Sequence, residues 1–393
     1  MLKRLIAITF IFVSAGIAWL ILGGTLVSRT SDSDIQQRAK LTAQWGSEQT
    51  QQAPQVCARV RVEHHYEDQA LPIAGSRIDV ALDLEQRRDG LLWYNLYSVR
   101  FTGHYRIRNA TTSNRLAVHF AFPASDGTYA DFSAAVGGHR ITDATALDQG
   151  YVKFNLSPGA ETSFDVAYRS RGMGTWAYRF GSGVESVNDF ALQMRTNFDA
   201  IDFPPQTLLP SREEHLKNGW RLEWRYATLV SGNGIGMSFP YPLQPGPLAQ
   251  RITFWAPVAL FFYFFVMLVV TTLRKIDLHP VNYFFLAASF FAFHLLFAYL
   301  VDRVPLEAAF VICSLVTLFL TVSYLRLVVG WQFAAVESGL AQLIYLILFS
   351  YALFNEGWSG LTITIGAIVT LFVVMQATGR INWTQRLAGG VQT

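Results

Sequence analysis

The stretch FAFHLLFAYLVDRVP, residues 291–305, places a histidine inside a run that otherwise suits hydrocarbon and closes the run on Asp302, Arg303 and Pro305. An apolar segment of this kind is either the core helix of a soluble protein or part of a membrane span. Its surroundings decide between them. With 51% hydrophobic and only 15% charged residues in 393, the chain is too apolar for an ordinary soluble protein. The apolar residues gather at the N-terminus and again from about residue 252, while the region between has the composition of a folded soluble domain.

A helix crossing a hydrocarbon core of ~30 Å needs about 20 apolar residues. LIAITFIFVSAGIAWLILGGTLV (5–27), behind Lys3 and Arg4, exceeds the usual length of a signal-peptide core and has no clear A-x-A cleavage site, so an uncleaved anchor is expected. Five more spans are expected at 252–273, 282–301, 306–325, 338–355 and 360–377. With the N-terminus in the cytoplasm, the cytoplasmic segments hold Lys3, Arg4, Arg274, Lys275, Arg326, Arg380 and Arg386. The short outer loops hold Arg303 with Asp302, Glu307 and Glu356. This bias in Lys and Arg predicts six helices, both termini inside and residues 28–250 on the far side. The expected organisation is an anchor (1–27), a polar stalk or linker (28–70), a periplasmic β-rich domain (71–250), a five-helix bundle (251–379) and a cytoplasmic tail (380–393).

Beyond the Gln-rich linker the pattern changes to period two: FTGHYRIRN (101–109), RLAVHFAF (115–122), YADFSAAV (129–136), YVKFNL (151–156) and ETSFDVAYRS (161–170). GTWAYRFG (174–181), DFALQMRTNF (189–198) and GWRLEWRYA (219–227) continue it. Strands of this spacing between turn residues predict an antiparallel β-sandwich with one face of each strand buried. SREEHLKN (211–218) reads as a charged loop or helical turn and SGNGIG (231–236) as a turn.

Chemistry-bearing motifs are weak throughout. EHHYED (63–68) carries histidines and acids, but neighbours on a strand point to opposite faces, which favours a solvated patch over a metal site. Neither G-x-S-x-G nor H-E-x-x-H occurs, so no catalytic, metal or cofactor site is expected, and net charge +3 without a basic cluster gives no reason to expect nucleic acid. Cys57 and Cys313 fall in different media and are not expected to pair.

Polar groups within hydrocarbon are costly and usually face the bundle interior. His294 shares a helix face with Ala287, Phe291 and Ala298, where the alanines permit close approach of a second helix. Thr317, Thr321, Tyr345 and Ser350 are its candidate partners. The simpler reading is a packing contact; the alternative is a ligand or proton site. His279, in L-H-P before Pro280, is expected to cap or anchor the next helix. Asp302 and Arg303 are expected to pair at the outer boundary, with Asn355, Glu356 and Trp358 at the same level. Gly357, Gly360 and Gly366 suit tight turns and close packing.

The segments LRKIDLHPVNYFFLAASFFAFHLLFAYLVDRVP, YLRLVVGW (324–331) and LIYLILFSYALFNEGWSGLTITIGAIVTLFVVMQATGRINW (343–383) resemble the CreD family of bacterial inner-membrane proteins. The resemblance implies one N-terminal helix, a large periplasmic domain and a C-terminal bundle, together with a role in cell-envelope integrity and colicin tolerance. It supplies no reaction. The expected function is therefore a non-enzymatic inner-membrane protein whose exported domain contacts an envelope protein or polymer. The alternative is a transporter or lipid-handling bundle with His294 at its centre.

Overall fold

In the computed structural model, residues 2–62, 65–181, 183, 185–355, 357 and 359–379 are described. The chain divides into two compact units. One comprises Met1–Ile35, Gly90–Leu92 and Leu243–Thr393; the other comprises Gln36–Asp89 and Trp93–Pro242.

The first unit is helical. Six helices among the described residues are long and apolar enough to cross a membrane. α1 (Leu2–Trp45) continues well past its apolar half, because nothing breaks the helix before Gly46. That glycine adopts φ +86 and returns its N–H to the Thr42 carbonyl. Within α1, Gly23 lies so close to Phe254 that a Cβ there would stand 2.7 Å from its ring, which is how small residues let membrane helices approach. After the short α2 (Ala144–Gln149) of the second unit, α3 (Pro245–Arg274) opens on proline and stops at Lys275 in the left-handed region. α4 (Pro280–Leu300) and α5 (Leu306–Val328) follow. α5 carries Glu307 in its first turn and Arg326 in its last, both favourable to the helix dipole. α6 (Phe333–Ala352) begins five residues before the expected 338 and widens into π-type turns at Phe333–Ser338 and Leu343–Leu348. α7 (Ser359–Thr378) completes the set. Trp19, Leu260, Tyr263, Phe290, Phe293, Phe297 and Leu346 lie in one buried core.

End contacts fix the sense of the helices within this unit. Arg4 reaches Asp277 and Tyr283, while Arg29 reaches Ala298 and Asp302, so α1 and α4 run parallel. Arg274 pairs with Glu337, joining the end of α3 to the start of α6. The outcome is the alternation of direction that successive membrane spans require.

The second unit is β-rich. Its strands are β1 (Gln49–Gln52), β2 (Gln55–Val62), β3 (His65–Leu71), β4 (Ile73–Asp89), β5 (Leu92–Arg108), β6 (Arg115–His119), β7 (Tyr129–Val136) and β8 (His139–Ile141). They continue with β9 (Val152–Asn155), β10 (Glu161–Met173), β11 (Trp176–Arg179), β12 (Glu185–Thr196), β13 (Arg212–His215), β14 (Trp220–Ser231) and β15 (Ile235–Met237). Eight form one sheet in the order β13-β14-β12-β4-β5-β10-β7-β8, four another (β3-β2-β6-β9) and three a third (β1-β11-β15). Side chains of all three sheets, among them Val56, Tyr105, Phe164, Trp176 and Trp224, meet in one core. β5 shows the cause: Val99, Phe101, Tyr105 and Ile107 are buried while Arg100, Thr102, His104, Arg106 and Arg108 face out.

Several expectations need correction. The segment 28–70, expected as a stalk or helical linker, is helical only to Trp45 and then supplies β1, β2 and most of β3. Gln49 and Gln51 mislead because they are buried but satisfied. The Gln51 amide donates to the Gln52 and Ala121 carbonyls at 2.8 and 3.1 Å and accepts the Tyr168 hydroxyl at 2.7 Å. Residues 212–215 form strand β13, not a loop or helical turn, because β14 offers it a partner edge. Pairing is not wholly antiparallel either, since β12–β4 and β1–β11 are parallel. Of EHHYED, Glu63 and His64 lie outside the described residues, and the remainder enters β3.

Candidate functional site

α4 owes its length to the apolar run 281–301, and His294 lies within it, 1% exposed. Its Nδ1–H donates to the Phe290 carbonyl one turn back at 2.8 Å, which leaves Nε2 as the acceptor. That acceptor is buried and has no hydrogen-bond partner among the described residues. The ring stands edge-on to Trp19 of α1 (centroids 5.5 Å, 83°) and to Phe293 (5.0 Å, 75°). The indole Nε1 of Trp19 is likewise buried without a partner. Three of the partners expected for His294 are engaged elsewhere: Thr317 with Cys313 of its own helix, Thr321 with Ser289 at 2.8 Å, and Tyr345 with Thr370 at 2.9 Å. Ser350 is buried, with no bond to His294. Among the described residues His294 makes no hydrogen bond to a neighbouring helix; its contact with α1 is aromatic.

A second polar group lies on α3 and α6. Tyr263 and Ser338 share a hydrogen bond of 2.7 Å, both fully buried. One turn beyond Ser338, between the two π-type turns, Gln342 is completely buried and neither amide atom has a partner among the described residues. Turns of this kind open a helix's own ladder and recur at functional sites. A cavity of about 150 Å³ lies between α3, α6 and α7, lined by Phe262, Tyr345, Leu348, Ile363, Gly366 and Thr370 among others. Chemically these groups offer hydroxyl, amide, indole and imidazole hydrogen bonds.

Asp302 is tied down by a residue the sequence did not single out. Arg29 of α1 donates to the Ala298 carbonyl (3.1 Å) and to Asp302 Oδ2 (3.3 Å) and lies over the Tyr299 ring at 4.8 Å. Arg303 approaches Asp302 only at 3.7 Å and is 81% exposed, so the expected Asp302–Arg303 pair is the weaker contact. Arg29 is the first charge after the apolar run of α1 and Asp302 the first after that of α4, which is the signal that would have found the pair. Asn355 is exposed, and Glu356 and Trp358 lie outside the described residues. His279 is the N-cap of α4, its Nδ1 accepting the Val281 N–H at 3.3 Å. Gly357 adopts φ +87 in a turn, but Gly360 and Gly366 have open space where a Cβ would lie, so neither provides the expected close packing.

In the β unit, His104 pairs with Asp165, whose second oxygen accepts the Ser163 hydroxyl at 2.8 Å. The carboxylate sits between the other two groups, so the histidine is not placed to take the serine proton and the three do not form a nucleophilic relay. Among the described residues no three His, Cys, Asp or Glu gather as metal ligands.

Residues 212–384 match the family described as Inner membrane protein CreD. A relative, Inner membrane protein CreD of Escherichia coli (strain K12), is 28% identical over 195 residues, covering 44% of this chain and 42% of that protein. The match thus spans less than half of the relative's length. A solved structure from Legionella pneumophila, provisionally described as a nutrient binding protein, aligns with 55% of this chain and 75% of its own at 9% identity. Its TM-score of 0.26 is too low to carry any inference.

Proposed function

On the premise that this chain belongs to the CreD family of inner membrane proteins, which it matches over residues 212–384, we propose a non-enzymatic role in cell-envelope integrity. The β unit would be a sandwich-like periplasmic domain that contacts an envelope protein or polymer, carried by a bundle in the lipid bilayer. One observation carries the reading: strands β1 to β15 all lie in sequence between the first and second spanning helices, so they stand on one side of the membrane. Arg4, Arg274, Lys275 and Arg326 border the ends of spans that the positive-inside rule assigns to the cytoplasm, which leaves the β unit outside. Both termini are then cytoplasmic, and the organisation 1–27, 28–70, 71–250, 251–379 and 380–393 is retained as topology, with its second segment folded as described above.

The test is made in intact cells lacking the native gene. The full chain should restore resistance to an envelope-stressing detergent, and a membrane-impermeant maleimide should reach Cys57 from outside. Labelling confined to inverted vesicles would overturn the orientation. Failure to restore resistance by a correctly inserted chain would overturn the envelope role.

A transporter or lipid-handling bundle is the second reading. It is favoured by the buried atoms of His294, Trp19 and Gln342 that have no partner among the described residues, which a polar group entering the bundle could meet.

A further inference from the structure

The outer face of the eight-stranded sheet holds an arrangement that strand pairing alone would disfavour. Arg169 of β10 lies directly opposite Arg100 of β5, and like charges in that position repel. Arg171, two residues along β10, projects on the same face and lies over the Trp45 ring at 5.1 Å. The three guanidiniums border an open cavity of about 590 Å³, within the size range of small-molecule sites, with Gln44, Trp45, Ser98 and Thr128. Asp83 approaches Arg100 at 3.7 Å, and Asp131 pairs with Arg169. Arg171 has an aromatic ring, not an acid, for its neighbour, so the group carries one cation in excess.

The strand forming the cavity's edge is also distorted. β7 slips register against β10 between Ala167 and Arg169, and Asp131 adopts φ +51 at that point. A β-bulge re-aims side chains, and a non-glycine residue in the left-handed region is uncommon; both cluster beside functional sites.

We propose that this cavity binds a carboxylate-bearing sugar. The guanidinium fork matches a carboxylate in plane, and a single excess charge suits a monoanion better than a doubly charged phosphate. Ser98, Thr128 and Gln44 supply hydroxyl and amide groups for sugar hydroxyls, and Trp45 supplies an apolar wall. The inference rests on the reading of the β unit as the part that meets the envelope, and names the ligand class of that contact.

The experiment titrates sodium glucuronate, glucose and inorganic phosphate into the detergent-purified full chain by calorimetry. Glucuronate should bind, glucose should not, and phosphate should bind more weakly. Arg171→Gln and Arg100→Gln should each weaken glucuronate binding roughly tenfold or more, with unchanged thermal unfolding. Arg225→Gln, on the same sheet but outside the cavity, should leave it unchanged. Should one cavity variant fail to fold, the other decides. No glucuronate binding, equal binding of glucose or phosphate, or an equal loss in Arg225→Gln would overturn the assignment. Resistance of cells expressing the same proteins is scored separately: loss of the sugar site with resistance intact rejects this inference alone, whereas binding without restored resistance rejects the envelope role.

Discussion

The ranking of substitutions at His294 separates packing from hydrogen bonding. Had its ring bonded a neighbouring helix, His294→Gln would be silent and His294→Leu would lose about 0.6 kcal/mol, the mean for such bonds in a membrane protein. The observed surroundings reverse the order. The one bond made, to the Phe290 carbonyl, lies within α4, and that oxygen keeps its place in the helical ladder. Leucine forfeits two edge-on ring contacts, each worth about 0.5–1.5 kcal/mol, but removes the unpartnered Nε2, which costs about 1–3 kcal/mol buried. The two nearly cancel, so His294→Leu should unfold within about 1 kcal/mol of wild type. His294→Gln loses the same contacts and brings an amide into a slot whose neighbour, the Trp19 indole, can satisfy at most its oxygen, so it should lose about 2 kcal/mol. His294→Ala should lose about 2–5 kcal/mol through the cavity it leaves. Thermal and denaturant unfolding in detergent measures all three. Glutamine ranking above leucine would refute the packing geometry. A stable His294→Leu protein that no longer restored envelope resistance would instead make the histidine's acceptor part of a functional site.

Gln342→Leu should stabilise the purified protein by about 1 kcal/mol, because it removes a buried amide with no partner among the described residues; a loss of stability would mean that the amide is satisfied by a bound group. Arg29→Ala should lose about 1–2 kcal/mol through two hydrogen bonds and the Tyr299 contact, whereas Arg303→Ala should fall within ~0.5 kcal/mol, and unfolding curves of the pair check the contrast. Gln51→Ala should cost about 2–4 kcal/mol by opening a void and orphaning the buried Tyr168 hydroxyl; an exposed linker glutamine would show no effect. Burial raises the phenols of Tyr97, Tyr105, Tyr168 and Tyr178 and pushes Tyr129 up to about 12, where its bond with Ala124 offsets part of the rise and Asp148 and Asp126 add to it. Folded values above the ordinary value of about 10 mean that this stabilisation is complete below pH ~10 and is lost as pH rises towards the folded values. Phenolate absorbance should therefore appear together with loss of the strand circular dichroism; earlier ionisation in a folded β unit would contradict the burial.

What the sequence disclosed followed local periodicity. Six helices were readable because each needs only its own apolar run, and strands such as β5 and β10 because buried and exposed residues alternate along most of their length. β1 was hidden for a physical reason: Gln49 and Gln51 count as polar in any composition, yet both are buried with their amides bonded to carbonyls and hydroxyls from distant segments. β13 and the parallel pairing of β12 with β4 depend on which strand lies alongside, a fact no single segment carries. The same boundary limits the site. Spacing placed His294 on the right face of α4, with Ala287 and Ala298 buried beside it, but could not say that Trp19, 275 positions earlier, would be the neighbour. Arg29 and Asp302, 273 positions apart, escaped in the same way.

Both units hold buried polar side chains that are bonded and some that are not, Trp176 Nε1 in the β unit among the latter, and those left unbonded in the bundle bear on where function lies. In the β unit, Gln49, Gln51 and Tyr168 satisfy one another or nearby carbonyls, which fixes one arrangement of the core. In the helical unit, the Nε2 of His294, the Nε1 of Trp19 and both amide atoms of Gln342 are buried and unmatched among the described residues. Packing alone gives no reason to retain such groups, since apolar residues of similar volume would remove the penalty. Gln342 stands between two π-type turns, so its helix also departs from regular geometry at that point. If the bundle were only an anchor, Gln342→Leu and His294→Leu combined should leave envelope resistance intact while raising or preserving stability. Loss of resistance in that stable double variant would move the working part of the protein from the β unit into the bundle.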